Sequence, residues 1–424
     1  MSNEQYKIET MALQAGYEPG NGEPRVLPIC QSTTFKYSSC EELGDLFDLK
    51  TSGHFYSRLS NPTVAAVEDK IAAMEGGVGA LCTSSGQAAS FLSIFNITSC
   101  GQNIVASSTI YGGTTNLLAV TLKRMGIEVR FVTPDLSDEE IEAQIDENTR
   151  LVFGETIANP VLKVFDIERY AKIAHRHGIP LVVDNTFATP VLCRPIEFGA
   201  DIVIHSTTKY MDGHATVVGG VVVDSGKFDW AASGKFPELT TPDDSYHGIV
   251  YTEAFGSSAY ITKARVQLMR DLGMVPQPMT TFLLNMGLET LPLRIARHSE
   301  NALTVAKWLE SDPRIAWVNY PGLESSPDRA LAQKYLPNGA SGVISFGVKG
   351  GRDAAATFMG RLKLAKLVIH VADARTSILH PASTTHRQLT DEQLRDAGVS
   401  PDLCRLSVGI ENVEDIIKDI DQAL

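Results

Sequence analysis

Several features that mark common protein classes are missing from this sequence. Its six cysteines, at positions 30, 40, 82, 100, 193 and 404, form no Cys-x-x-Cys pair, so zinc ribbons and thioredoxin-type redox motifs have no support. We expect reduced and mostly buried thiols instead. The N-terminus has no apolar signal core, and no uninterrupted apolar run reaches the roughly 18 residues that a membrane span needs. We therefore expect a protein that stays in the cytoplasm and does not bind a membrane.

Blocks of basic residues are missing as well, and the formal net charge of the 424 residues is −13. An acidic chain without a basic block argues against nucleic acid or an anionic membrane as the main partner. An anionic small molecule is not excluded, because it needs only a local positive site. The histidines offer no metal site, since His175 and His177 lie two apart on a helical stretch and do not share a helix face.

Short apolar segments recur through the first half of the chain, mostly separated by helical patterns. The seven strand candidates lie at 79–83, 103–106, 128–132, 150–154, 181–183, 201–205 and 217–223. This alternation predicts an α/β fold with a largely parallel sheet.

The rhythm changes after residue 224. Residues 225–260 are polar and proline-bearing and predict a long loop, whereas Tyr260 to Leu309 is mostly helical. The last third returns to α+β, with strand candidates at 342–348 and 404–408 and a helix from Val413. We predict three parts, namely an irregular segment at 1–60, a large domain at 61–272 and a C-terminal domain at 273–424.

An amine and a carboxylate are the most informative residues, because each follows a buried strand candidate. Asp184 follows the apolar residues 181–183, and Lys209 lies 25 positions later, next to hydroxyl side chains at 206–208. Ligands bind at strand ends in α/β sheets. Pyridoxal phosphate needs a lysine for a Schiff base, a carboxylate for its ring nitrogen and donors for its phosphate. A buried Asp–Lys ion pair would explain the same two residues, so this pair alone leaves both interpretations open.

Other segments add candidates for the same kind of site. Gly86 and Gln87 join a strand to a helix, whose free backbone N–H groups attract a phosphate. Tyr111 could stack on a flat ring, and Arg58 suits bidentate phosphate binding. Arg405 lies in an apolar strand-like run and needs an anion, such as a substrate carboxylate. Each candidate also has an ordinary explanation. These are a βα turn for Gly86 and Gln87, packing for Tyr111, a solvated side chain for Arg58 and a structural salt bridge for Arg405.

Together these residues closely resemble the cysteine/methionine-metabolism family of pyridoxal-phosphate enzymes, over nearly the full length. The matching motifs are Tyr-Ser-Arg-x-x-Asn-Pro-Thr (56–63), Ser-Gly-Gln-Ala (85–88), Tyr-Gly-Gly-Thr (111–114), Glu-Thr-x-x-Asn-Pro (155–160), Val-Asp-Asn-Thr (183–186), Ser-Thr-Thr-Lys-Tyr (206–210) and His-Pro-Ala-Ser-Thr-Thr-His (380–386). The resemblance implies the aspartate-aminotransferase-like fold (PLP fold type I). This fold has a large domain with a mostly parallel seven-stranded sheet and a smaller C-terminal α/β domain.

The resemblance also implies a role for each candidate residue. Lys209 would hold the cofactor as an imine and act as the catalytic base, Asp184 would pair with the pyridinium nitrogen, and Tyr111 would stack on the ring and assist acid–base steps. The other implied roles are phosphate binding (Gly86, Gln87, Ser206, Thr208), ring support (Thr186), substrate-carboxylate binding (Asn159, Arg405) and contact with the neighbouring subunit's cofactor phosphate (Tyr56, Arg58). Shared sites imply at least a dimer, usually a homotetramer, with residues 1–60 as the arm that reaches the neighbour.

Three segments resemble the O-acetylhomoserine sulfhydrylase branch of the family: the loop with 234–237 and 246–248, residues 282–291, and residues 380–386. This branch implies γ-replacement, in which O-acetylhomoserine and sulfide or a thiol give homocysteine or methionine and acetate, in methionine biosynthesis. Methionine γ-lyase and cystathionine γ-synthase or O-succinylhomoserine sulfhydrylase stay open as alternatives, as does a cofactor-binding protein without turnover. His370 and Ala372 depart from the serine and glycine of many relatives, which leaves the substrate preference less secure than the chemistry.

Overall fold

The computed structural model describes residues 6–384, residue 387 and residues 399–424. In this part of the chain, seven strands form the larger sheet: β1 (Gly79–Thr83), β2 (Asn103–Ser107), β3 (Glu128–Val132), β4 (Thr149–Glu155), β5 (Leu181–Asp184), β6 (Ile202–His205) and β7 (Gly220–Asp224). Their spatial order is β1-β7-β6-β5-β4-β2-β3. β7 runs antiparallel to β1 and β6, and the other pairs are parallel. The predicted mostly parallel sheet is confirmed.

A second, smaller sheet is formed by five strands of the described residues. They are β8 (Ile315–Asn319), β9 (Val343–Val348), β10 (Lys366–Leu367), β11 (Ser377–Leu379) and β12 (Leu403–Ser407), in the order β10-β11-β12-β9-β8. The sequence predicted β9 and β12, which are buried along their whole length. It missed β8, whose residues are mostly part-exposed, and β10 and β11, which are only two and three residues long.

The helices occupy most of the connections between strands. In chain order they are α1 (Ile8–Gln14), α2 (Cys40–Phe47), α3 (Pro62–Glu75), α4 (Gly86–Phe95), α5 (Gly112–Asn116), α6 (Asp138–Glu142), α7 (Ile167–Arg176), α8 (Thr189–Leu192), α9 (Trp230–Ser233), α10 (Pro237–Thr240), α11 (Tyr251–Phe255), α12 (Ala259–Lys263), α13 (Arg270–Leu272), α14 (Pro278–Ser311), α15 (Arg329–Tyr335), α16 (Gly351–Arg361) and α17 (Val413–Ala423). Two π-helical segments, Leu117–Leu122 and Ala264–Met269, continue α5 and α12. None of the described helices is long and apolar enough to cross a membrane.

Local capping explains where the helices near the site begin. Asn61 accepts a hydrogen bond from the Thr63 N–H at 3.0 Å, and Pro62 occupies the first turn of α3. Ser85 caps α4 by accepting from the Ala88 N–H at 3.1 Å. Each cap satisfies backbone donors that have no partner inside the helix, so the turns that precede α3 and α4 are fixed.

Two of our sequence expectations were wrong in detail. Residues 225–260 are not an open loop, because α9, α10 and α11 fold there and Trp230 stacks on Tyr260 at 5.3 Å between ring centroids. These helices have only four or five residues, too few to give a periodic pattern. The six cysteines are free as expected, but only three are buried, and Cys40 and Cys100 are exposed at the surface.

Candidate active site

A cavity of about 220 Å³ lies at the carboxyl ends of the parallel strands β4, β5 and β6. Ten of the twelve predicted site residues line it: Gly86, Gln87, Tyr111, Asn159, Asp184, Thr186, Ser206, Thr208, Lys209 and Arg405. Strand ends gather at one edge because parallel strands share a direction, so residues distant in sequence meet there.

Asp184 ends β5 and is held by the residue two positions later. Its Oδ1 accepts hydrogen bonds from the Thr186 backbone N–H at 3.0 Å and from Thr186 Oγ1 at 2.5 Å. Thr186 Oγ1 in turn accepts from the Ser206 N–H at 2.8 Å, which joins the ends of β5 and β6. Burial raises the pKa of Asp184, whereas the bonds from Thr186 and the charge of His205 lower it. The carboxylate is therefore fixed in place beside the cavity.

Lys209 follows β6 and is partly buried beside the cavity. Burial is the main cause that lowers its pKa to about 8, and the positive charge of Arg405 adds to this effect, while Asp373 opposes it. About a tenth of the amine is then neutral at pH 7, and this neutral form is a competent nucleophile and base. Both Lys209 and Asp184 are described, and they form no ion pair with each other, so the structural ion pair that the sequence left open is not present.

Glu155 is a site residue that the sequence analysis did not assign. It ends β4, lines the cavity and accepts a hydrogen bond from the Tyr111 backbone N–H at 2.6 Å. Burial and the charge of Asp184 raise the pKa of Glu155 well above its ordinary value, although the backbone N–H groups of Tyr111 and Asn159 lower it. The sequence did carry a signal for Glu155, because this polar residue directly follows the apolar strand candidate at 150–154.

Arg405 brings a positive charge into the cavity from the smaller sheet. It lies on β12, is buried, and donates to Asn159 Oδ1 at 3.2 Å and to the Ile369 carbonyl at 3.0 Å. Burial lowers its pKa to about 10. No carboxylate among the described residues forms an ion pair with Arg405, so an anionic ligand in the cavity would meet an uncompensated cation.

The first turn of α4 forms the other wall of the cavity. Here Gly86 passes so close to β6 that an added Cβ would lie 2.6 Å from Ser206 Cβ. Gln87 Oε1 is buried without a hydrogen-bond partner in the described part of the chain. Thr208 Oγ1 exchanges hydrogen bonds with the Gly219 backbone at 3.0 and 3.1 Å. Backbone donors and hydroxyl groups around a glycine suit a phosphate group.

Tyr56 and Arg58 are the two predicted site residues that do not reach this cavity. They line a separate groove of about 540 Å³, together with Arg270 and residues 245–247. The Arg58 guanidinium lies 5.2 Å from the Tyr56 ring centroid and donates to the Arg270 carbonyl. Within one chain, these two residues do not line the cavity that contains Lys209.

The segments that distinguish branches of the family are only partly described. Thr385 and His386 of the 380–386 motif lie outside the described residues. His380 is buried and bonds Ser383 Oγ at 2.8 Å and the Pro401 carbonyl at 2.9 Å. Ala372 is fully buried with φ +69°, a left-handed conformation that glycine adopts without strain. Its conformation explains why a glycine is suited to this position.

The fold and the cavity define a pyridoxal-phosphate enzyme, because the cradle at Gly86, the carboxylate of Asp184 and the amine of Lys209 match the three parts of that cofactor. The family model for the Cys/Met metabolism PLP-dependent enzymes matches residues 9–424. The chain belongs to this family, and its cofactor is pyridoxal 5′-phosphate.

Individual relatives resemble the chain over its whole length. A homocysteine synthase of Schizosaccharomyces pombe is 49% identical over 427 residues, covering 100% of this chain and 99% of the relative. O-acetyl-L-homoserine sulfhydrylase 1 of Thermus thermophilus is 47% identical, covering 99% of this chain and 100% of the relative. A crystal structure described as an O-acetylhomoserine (thiol)-lyase from Campylobacter jejuni contains N′-pyridoxyl-lysine-5′-monophosphate. It superposes with a TM-score of 0.95 at 38% identity, covering 99% of both chains.

Proposed function

We propose that the protein replaces the γ-acetyl group of O-acetyl-L-homoserine by sulfide or a thiol, which gives L-homocysteine or methionine and acetate, as a step of methionine biosynthesis. The observation that carries this proposal is the cavity in which Lys209, Asp184 and Arg405 converge from different strands. Full-length similarity to proteins named homocysteine synthase and O-acetyl-L-homoserine sulfhydrylase supports the same reaction.

The proposed roles follow from the atoms that face the cavity. When bound, pyridoxal phosphate supplies an electron sink for the charge that develops at the substrate Cα. Lys209 Nζ would attach the cofactor. Once the substrate amine has freed Lys209 from the cofactor, its Nζ would take the proton from the substrate Cα and move protons at Cβ. Asp184, held by Thr186, keeps a negative charge against the ring nitrogen. The phenol of Tyr111 covers the ring and assists proton transfer.

Two groups of residues are proposed to hold the ends of the ligands. Gly86, Gln87, Ser206 and Thr208 bind the cofactor phosphate, since all four line the cavity and Gly86 and Gln87 begin α4. Arg405 and Asn159 bind the α-carboxylate of the substrate. The Asn159 amide oxygen already accepts from Arg405, so the guanidinium is oriented before the substrate arrives.

The assembly that we propose is a homotetramer built from dimers that share active sites. Residues 1–60 would form an arm that carries Tyr56 and Arg58 to the cofactor phosphate of the neighbouring subunit. The exposure of Tyr56 and its groove outside the cavity support this arrangement. Apolar side chains exposed on one stretch of α14, namely Met279, Met286 and Leu293, offer surface for further contacts. We also propose a cytoplasmic location.

A steady-state comparison tests the reaction. We expect purified protein with O-acetylhomoserine and sulfide to form homocysteine and acetate, and to release 2-oxobutyrate slowly when sulfide is omitted. Matched assays with O-succinylhomoserine, cystathionine and methionine define the leaving group, and a Lys209→Ala protein serves as the inactive control. Faster release of 2-oxobutyrate from methionine than synthesis of homocysteine would show that the protein is a γ-lyase and that our proposal is wrong.

A further inference from the structure

The reverse side of the active-site strand ends carries a second set of polar side chains. Successive residues of a strand face opposite sides of a sheet, so each residue that lines the cavity has a neighbour in sequence on the other side. Glu155, Asp184 and Ser206 line the cavity. Their respective neighbours on the reverse side are Thr156, Asn185 and His205. The backbone ladder continues through them, because the Thr156 N–H donates to the Asp184 carbonyl and the Asn185 N–H to the Ile204 carbonyl, both at 2.9 Å.

These reverse-side residues form one hydrogen-bonded network with the last residue of α3. Glu75 Oε1 accepts from Asn185 Nδ2 at 3.1 Å and lies 2.6 Å from His205 Nε2. Asn185 Oδ1 accepts from Thr156 Oγ1 at 2.8 Å. All four residues are at most 1% exposed. One carboxylate on α3 thereby ties together the ends of β4, β5 and β6.

The hydrogen-bond directions in this network are fixed by Asn185. Its amide oxygen accepts from Thr156, and its amide nitrogen donates both to Glu75 and to the Cys193 carbonyl at 2.9 Å. Glu75 Oε1 therefore accepts from Asn185, and the same oxygen shares one hydrogen with His205 Nε2.

The outer atoms of the pair have no other hydrogen-bond partner. Glu75 Oε2 and His205 Nδ1 are both buried and unpartnered among the described residues. The contact between Glu75 Oε1 and His205 Nε2 is therefore the hydrogen bond that holds the imidazole, and Glu75 Oε1 is the single atom that joins His205 on β6 to Asn185 after β5.

We propose that Glu75 is a positioning residue of the active site, which holds the ends of β4, β5 and β6 in register behind Asp184 through its bonds to Asn185 and His205. The inference rests on the proposed pairing of Asp184 with the cofactor ring nitrogen. It adds a support that acts through the sheet, from residues on the side opposite the cavity.

The test separates the shared acceptor at position 75 from the volume of the side chain. Glu75→Leu removes the acceptor of Asn185 and His205 but fills similar space, whereas Glu75→Gln keeps an acceptor oxygen for both. Glu68→Leu is the matched control, because Glu68 lies on the same helix, is buried, and pairs with Arg265 at 2.6 Å away from the cavity.

Three measurements are made at one fixed pH with pyridoxal 5′-phosphate as the probe: the dissociation constant of the cofactor, the visible absorption of the bound cofactor, and the steady-state constants. For Glu75→Leu we expect cofactor affinity and kcat to fall about tenfold, the order expected when buried donors lose their acceptor. We expect the visible band to weaken and KM for O-acetylhomoserine to stay within about twofold, since Arg405 is untouched. Glu75→Gln should recover most of the loss, and Glu68→Leu should change none of these beyond a general loss of thermal stability.

Two outcomes would overturn the proposal. One is normal cofactor affinity and a normal spectrum in Glu75→Leu. The other is a Glu75→Gln protein as impaired as Glu75→Leu, because the shared acceptor would then not be what holds the strand ends. If Glu75→Leu does not fold, His205→Leu, which leaves Glu75 as the acceptor of Asn185, is measured in its place under the same criterion. Cofactor binding and absorption are measured without substrate, so they remain decisive even if the protein proves not to make homocysteine.

Discussion

At the scale of single residues, the burial of one amine decides the chemistry of the cavity. Lys209 lies beside the guanidinium of Arg405, and burial together with that charge lowers the pKa of the lysine to about 8. Arg405 can remain charged there because its own pKa, lowered by burial to about 10, is still above neutrality. The residue that receives the substrate carboxylate therefore also activates the lysine.

We expect the attachment of pyridoxal phosphate to the cofactor-free protein to follow the titration of Lys209. Only the neutral amine attacks the aldehyde, so the rate should rise about tenfold per pH unit below the pKa and level off above about 8. Arg405→Gln removes a charge that lowers this pKa, which should move the midpoint to higher pH. Stopped-flow absorbance measures the rate, and Arg297→Gln, an exposed arginine on α14, is the control. A midpoint that is the same in Arg405→Gln would contradict the assignment.

At the scale of elements, α14 supports the site from behind with buried polar side chains. Arg294 donates to the Tyr210 carbonyl at 2.8 Å, directly after Lys209 in the chain. One turn further along the helix, His298 is fully buried and its Nδ1 lies 2.7 Å from the Val408 carbonyl. Burial is the main cause that lowers the pKa of His298 to about 4, and the charge of Arg294 acts in the same direction.

This shift predicts an acid-sensitive contribution of His298 to stability. The unfolded chain takes up the proton at about pH 6.5 and the folded chain only at about 4, so stability is complete above 6.5 and is lost as the pH falls towards 4. The full loss is on the order of 3 kcal/mol. His298→Asn keeps a donor for the Val408 carbonyl, and its melting temperature should fall less than that of the wild type over this range. Parallel curves for the two proteins between pH 7 and 4 would show that His298 does not cause the loss.

Elements differ in how clearly the sequence indicates them. β5 and β6 were predictable because unbroken β-branched runs such as Val182–Val183 are typical of strands buried on both faces. β10, with two exposed residues, and β8, with its mixed exposure, carry no such pattern, since pairing with neighbouring strands rather than local preference makes them strands.

At the scale of the whole molecule, the cavity is completed by parts that lie far apart in the chain. Arg405 enters from the smaller sheet, and α14 contacts both α3 beside the larger sheet and β8 and β9 of the smaller one. Tyr56 and Arg58 remain outside, which fits the proposed arm. The division into 1–60, 61–272 and 273–424 stays a prediction.

Subunit mixing tests the shared site. Arg58→Ala and Lys209→Ala proteins should each be inactive, whereas a hybrid dimer would have one site with both defects and one site with neither. After complete exchange we expect roughly a quarter of the wild-type activity, because half of the dimers are hybrids and half of their sites are intact.

The control for this experiment is a mixture of Asp184→Ala and Lys209→Ala proteins. Both residues line the same cavity of one chain, so every site in that hybrid keeps a defect and no activity should return. Demonstrated exchange without recovery in the Arg58→Ala mixture would rule out the shared site.

The sequence by itself determined the larger sheet and most of the cavity, because buried strands and the polar residues that follow them are local patterns. Asp184 and Lys209 could be assigned to one site in this way, and the motifs around Gly86 and Tyr111 indicated the cofactor. Only the tertiary structure decided that Glu155 joins them, that Tyr56 and Arg58 do not line the same cavity, and that Glu75 and His205 meet on the reverse side of the sheet. These relations depend on which strand lies beside which and on which face a helix end meets. Such contacts are set by the packing of distant segments and leave no periodic signal in the chain.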